Sequence, residues 1–124
     1  MGLWIPTTRV QCENGEEYDD PSEDMLHDLL SELSWPWNRF LIVDRLTDGS
    51  PGDRLVYMQA HRDQDGTYRV EYQEGSLAEH YEAVGIESRR EVHAALTSWA
   101  YGEDGWHEAF TWTNSGLAVS TAED

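Results

Sequence analysis

The chain has 124 residues, the length of one ordinary domain, and its 25 acids face eight bases for a formal charge of −17. Every base is an arginine. Binding to phosphates rests on lysine and arginine, so this balance argues against DNA, RNA and anionic membrane surfaces as direct ligands.

The excess is not an acidic tail: residues 1–62 hold twelve acids and five arginines (−7), and residues 63–124 hold thirteen and three (−10). Such charge either serves a field that meets a cationic partner or reflects composition alone. An apolar fraction of 39%, with six Trp and six Tyr, is enough to fold around a core. Cys12 is the single cysteine, so no intrachain disulfide forms. The start, MGLWIPTTRVQ, lacks a basic stretch followed by an apolar one, and no apolar run reaches membrane-spanning length. A soluble, cytoplasmic protein is the expectation.

In chain order, residues 3–11 read as an edge strand, because Pro6 is tolerated at an edge and not in a sheet's centre. The acidic run ENGEEYDDPSED (13–24) leads into a helix. Asp20 as N-cap, Pro21 at the first helical position and Glu23 at N3 mark its start. Met25, Leu26, Leu29, Leu30 and Leu33 give its apolar stripe, and Pro36 ends it.

Four strands follow at 39–46, 54–62, 67–73 and 79–84, joined by the turn sequences TDGSPGD, DQDG and EGSLA. Ser88 and Glu91 form a capping box for a second helix, whose stripe is Val92, Ala95, Leu96, Trp99 and Ala100, with Gly102 past its end. EDGWHEAFTW then reads as a short turn that seals the core, and residues 113–124 as a fraying tail. The expected fold is a single α+β domain over 1–124, an antiparallel four- to five-stranded meander with one helix before it and one after it.

No motif marks a reaction centre. DQDG (63–66) echoes a calcium loop, but alignment puts Tyr72 where the bidentate glutamate belongs, and a type I′ hairpin at Asp65-Gly66 fits better. The five histidines show no metal-ligand spacing. His80 with Glu82, or His107 with Glu108, offers the nearest thing to an acid–base pair. Cys12 sits beside Glu13, which disfavours a thiolate. Neither a metal nor a cofactor is expected, and no catalytic residue.

WPWNRF (35–40) sets Trp35 and Trp37 around a proline. One of the two is expected to close the core and the other to stand out as an anchor, since tryptophan is enriched at interface hot spots.

At YRVEYQEGSLAEHYEA, the Ser88 helix and DGWHEAFTW, the chain resembles small acidic actinobacterial proteins, several of them similar to immunity proteins of polymorphic-toxin systems. The resemblance spans about residues 39–112 and rests on Tyr68, Val70, Glu71, Tyr72, Glu74, Gly75, His80, Tyr81, Gly105, Trp106, Phe110 and Trp112. These are mainly structural positions. What it implies is an acidic protein that occludes a basic, nuclease-type toxin without catalysis.

The first reading is therefore a non-catalytic binding protein for a basic partner, with no membrane role. Its candidate contact residues are Glu13, Glu16, Glu17, Asp19 and Asp20 with Trp35 and Trp37, and, on a solvated sheet face, Glu71, His80 and Glu82. Two alternatives stay open: a nucleic-acid mimic that blocks a DNA- or RNA-binding protein, and a small enzyme built on a His–carboxylate pair.

Overall fold

A computed structural model describes residues 7–46, 56–74 and 79–114. Its order is β1 (Thr8–Cys12), β2 (Glu17–Asp19), α1 (Glu23–Ser31), β3 (Phe40–Arg45), β4 (Val56–Arg62), β5 (Tyr68–Glu74), β6 (His80–Ile86), α2 (Arg89–Ala100), α3 (Gly105–Ala109) and β7 (Thr113–Asn114). The fold is α+β, with every paired strand antiparallel. The sheet has seven strands in the order β2-β1-β3-β4-β5-β6-β7, more than the four or five expected. Neither does one helix precede the sheet and one follow it: α1 lies between β2 and β3, and α2 and α3 lie between β6 and β7.

The extra strands come from both ends of the chain. β1 is not an edge strand; it is bonded to β3 on one side and to β2 on the other. The edge belongs to β2, inside the acidic run. Thr113 and Asn114, which the sequence alone assigns to a tail, pair with β6 at the opposite edge. Pro6, the turn 47–53 and the turn residues 75–78 lie outside the described residues.

Alternation along the strands sorts the two faces. Val10 and Cys12, Leu41 and Val43, Met58 and Ala60, Val70 and Tyr72 point to one side and are buried. Against them lie Leu26, Leu29, Leu30 and Leu33 of α1 and its exit, and Val92, Leu96 and Trp99 of α2. Full burial of such side chains stabilises by about 1.5–3 kcal/mol each. Trp99 is the largest of them, with the Arg45 guanidinium 4.3 Å from its ring. The closing segment seals the core as expected: Trp106 and Trp112 meet Tyr72 edge-on at 4.7 and 4.8 Å, and Tyr81 stacks on it at 5.0 Å.

Ser88 caps α2 as expected, its Oγ accepting from Glu91 N, and Gly102 takes its left-handed place (φ +77°) just past the C-cap. For α1 the expected cap is corrected. Ser22, not Asp20, is the N-cap, its Oγ accepting from Met25 N at 3.0 Å. The hairpin at DQDG also forms with a different turn. Gly66 N donates to Asp63 O and Asp63 N to Thr67 O, and of the central residues Gly66 alone has positive φ (+92°). That is a type I turn followed by a left-handed glycine, not a type I′ turn.

Candidate functional site

The acidic run folds as the β1–β2 hairpin. Its loop repeats the geometry of the β4–β5 loop: Gly15 N donates to Cys12 O, Cys12 N to Glu16 O, and Gly15 has φ +100°. The carboxylates then divide. Glu13 accepts from Arg39 N at 2.7 Å and grips its guanidinium through both oxygens. The Arg39 side chain and then its backbone N–H hold the Glu13 pKa down to about 2. Asp20 stands at positive φ (46°) and accepts from Thr7 N at 2.8 Å and Thr8 N at 3.0 Å. Burial works against its charged form, but those amides and the threonine hydroxyls outweigh it and its pKa falls. Glu17 and Asp19 share Arg9 across the strand pair, at 3.2 and 2.7 Å. Burial, and then Glu16 and Glu32, push the Cys12 thiol up to about 11, which disfavours the thiolate.

The Trp35–Trp37 turn is fastened to this hairpin. Ser34 N donates to Asn38 O at 2.8 Å and Asn38 N to Ser34 O at 3.0 Å, closing the turn at its base. The buried Asn38 side chain accepts from Asn14 N and donates to Glu32 O. Arg39, already on Glu13, lies 5.4 Å from the Trp35 ring. Both indoles are exposed, Trp35 at 42% and Trp37 at 82%, so the expectation that one would close the core is not met. The buried residues here are Leu33 and Asn38, which flank the turn on either side. Glu13, Arg39, Trp35 and Trp37 thus belong to one built surface.

A second constellation crosses the sheet face away from the helices. Register puts Glu71 opposite Glu82 and Gln73 opposite His80. His80 Nε2 donates to Glu71 Oε1 at 2.8 Å, while its Nδ1 lies 3.2 Å from Gln73 Oε1 and 3.4 Å from the Tyr57 hydroxyl. Arg69 Nε lies 3.3 Å from the other Glu71 oxygen, and Asp63 links Arg69 to His61. Two glutamates directly opposed repel, and His80 and Arg69 take up the Glu71 charge. Burial and then Glu71 raise the Tyr57 pKa, which keeps its hydroxyl protonated.

Compared with protein-family models, curated proteins and solved structures, the chain has no match. Among the described residues, no helix is long and apolar enough to cross a membrane, and no three His, Cys, Asp or Glu side chains are grouped to hold a metal.

Of the candidate residues, the structure joins Glu13 with the tryptophan turn, and Glu71 with His80. Glu17, Tyr18 and Asp19 are exposed on the edge strand, and Asp20 is tied to Thr7 and Thr8. His107 and Glu108 are exposed on α3. Sequence reasoning missed Asn14, Asn38 and Arg39, the residues that join turn to hairpin. Asn14-Gly15 was the available signal, being the dipeptide that most favours a hairpin.

Proposed function

We propose that this chain is a non-catalytic acidic binding protein that inhibits a basic partner by occlusion, as an immunity protein blocks a nuclease-type toxin. The observation that carries the reading is Trp37, 82% exposed at the tip of a turn clamped to a carboxylate-bearing hairpin. A tryptophan left in water forgoes about 1.5–3 kcal/mol of burial, which is regained when a partner covers the ring. Around it a chain of charge −17 supplies the long-range attraction that speeds encounter with a cation. Occlusion needs no reacting group, which agrees with a Cys12 thiol held protonated.

The His80–Glu71 pair gives the enzyme reading its one favourable observation. Against it, each nitrogen of His80 and each Glu71 oxygen already has a neighbour within the sheet. A general base must reach a substrate proton, and this one is employed bracing three strands.

The test is capture with the tagged chain at low salt from its own cells, followed by an assay of the captured protein. The expected partner is basic, is released as salt rises from about 50 to about 500 mM, and loses its activity when one equivalent of the chain is added. Recovery of nothing basic, or a partner still active in the complex, would sink the proposal. A partner that DNA displaces from the same contact would move it to nucleic-acid mimicry.

A further inference from the structure

The helical side of the molecule carries a cavity of about 370 Å³ lined by His27 of α1 and by Arg89, Arg90 and His93 of α2. Four basic side chains on one wall stand out in a chain with 25 acids and eight arginines. The other described arginines each hold a protein group: Arg9 and Arg39 take carboxylates, Arg69 meets Glu71, Arg62 donates to the Tyr68 hydroxyl and Arg45 to the Trp99 carbonyl. Arg89 and Arg90 have no ion-pair partner among the described residues. They also occupy the first turn of α2, where the helix dipole disfavours cations. The sequence accepts an electrostatic cost at this place.

Helical spacing sets His93 one turn beyond both arginines. Its Nε2–H donates to the Glu23 carbonyl at 3.0 Å, which fixes the ring against α1. His27 meets that ring edge-on at 5.3 Å. Asp28 lies 3.7 Å from His27 Nδ1, Glu23 and Asp24 stand one turn before His27 on α1, and Glu91 follows Arg90 on α2, but none of these carboxylates is ion-paired with either arginine among the described residues.

We propose that this cavity binds a phosphate group, free or carried on a small molecule. A guanidinium fork matches phosphate oxygens in two parallel hydrogen bonds, and the His27 imidazole N–H adds a further donor, while the His93 N–H stays on the Glu23 carbonyl and holds that side of the wall. The volume lies at the small end of ligand sites, room for a phosphate on a sugar-sized body. Nucleic acid is excluded, because a polyanion meets the field of the whole molecule. A single dianion in the cavity responds mainly to the two guanidiniums within a Debye length, about 8 Å. This site is separate from the partner surface and stands or falls without it.

The experiment is a titration of the isotopically labelled full chain with inorganic phosphate and, in parallel, adenosine 5′-monophosphate, at constant ionic strength set by sodium chloride. Arginine Nε–H and histidine ring resonances are followed by NMR. Saturable shifts at His27, Arg89, Arg90 and His93 are expected, with Kd below about 10 mM. Binding should weaken at least about tenfold in R89Q/R90Q, whose amide spectrum elsewhere stays native, and R90Q alone serves if the double variant does not fold. Nucleotide binding at least about tenfold tighter than phosphate assigns a small phosphoester, and equal binding assigns the free anion. Shifts that only track chloride, or that persist in R89Q/R90Q, overturn the proposal.

Discussion

Glu13 and Asp20 sit at the two ends of the β1–β2 hairpin, and Glu17 and Asp19 sit between them on its outer strand. All four belong to one acidic run, yet they do different work. The end pair accepts backbone N–H groups: Glu13 takes that of Arg39 and so ties the hairpin to the start of β3, while Asp20 takes those of Thr7 and Thr8 and closes the hairpin's open end. The middle pair meets one arginine side chain in solvent. An acidic stretch is therefore not a uniform surface. What separates structural carboxylates from surface ones is whether a main-chain donor is waiting for them.

Breaking the end pair should cost most in stability. Asp20→Ala leaves the amides of Thr7 and buried Thr8 without their acceptor and forces alanine into positive φ, so a loss of about 2–3 kcal/mol is expected in urea unfolding. Asp20→Asn keeps an acceptor oxygen and tolerates the backbone, so it should lose less than about 1 kcal/mol. Equal losses would show that charge, not geometry, holds this corner.

Glu13→Gln tests the other end through pH. Arg39 depresses the Glu13 pKa from 4.5 to about 2, so its stabilisation is complete above 4.5 and vanishes as pH falls through 2. Thermal unfolding should therefore place Glu13→Gln below the parent at neutral pH, and the two should converge between pH 4.5 and 2. A gap that stays constant over that window would show that ionisation of Glu13 is not what stabilises this end.

These same residues show what was legible in the sequence. Strands β3 to β6 and the α2 cap could be read because alternation and a Ser–Glu box are local patterns. β2 could not: its three residues are all exposed, so no apolar alternation announces them. The α1 cap was misplaced because Asp20, Pro21 and Ser22 offer adjacent start signals, and Asp20 is spent on Thr7 and Thr8 some dozen residues away. The turn that holds Trp35 and Trp37 out in solvent is fastened at its base by the buried Asn38, whose partners are Asn14 and Glu32. Such long-range bonds have no period to find. In the sheet-face network, Glu71 and His80 were visible as residue types, but Gln73 and Tyr57 joined them only through strand register.

The middle pair should matter little to the fold. Glu17→Gln with Asp19→Asn removes two exposed contacts to Arg9, and exposed ion pairs contribute about 0–1 kcal/mol. The expected effect lies instead in the rate of partner capture, which should fall at low salt and approach the parent's as salt rises, because rim charges act through steering. Stopped-flow association at two ionic strengths would show it. Unchanged rates at low salt would leave these carboxylates no function beyond protecting the sheet edge.

Trp37→Ala carries the contrast to its limit. An indole 82% in solvent holds almost nothing in the free protein, so unfolding should shift by less than about 0.5 kcal/mol. As an anchor the same ring should be worth at least about 2 kcal/mol of partner affinity, roughly thirtyfold in Kd. The loss should appear in dissociation rather than association, since removing the ring leaves the charge field unchanged. Glu17 and Asp19 would then govern arrival and Trp37 residence, on a surface whose end carboxylates only hold it in place. If Trp37→Ala instead destabilises the fold by more than about 1 kcal/mol, the turn is a structural brace, and the partner reading loses the observation that carries it.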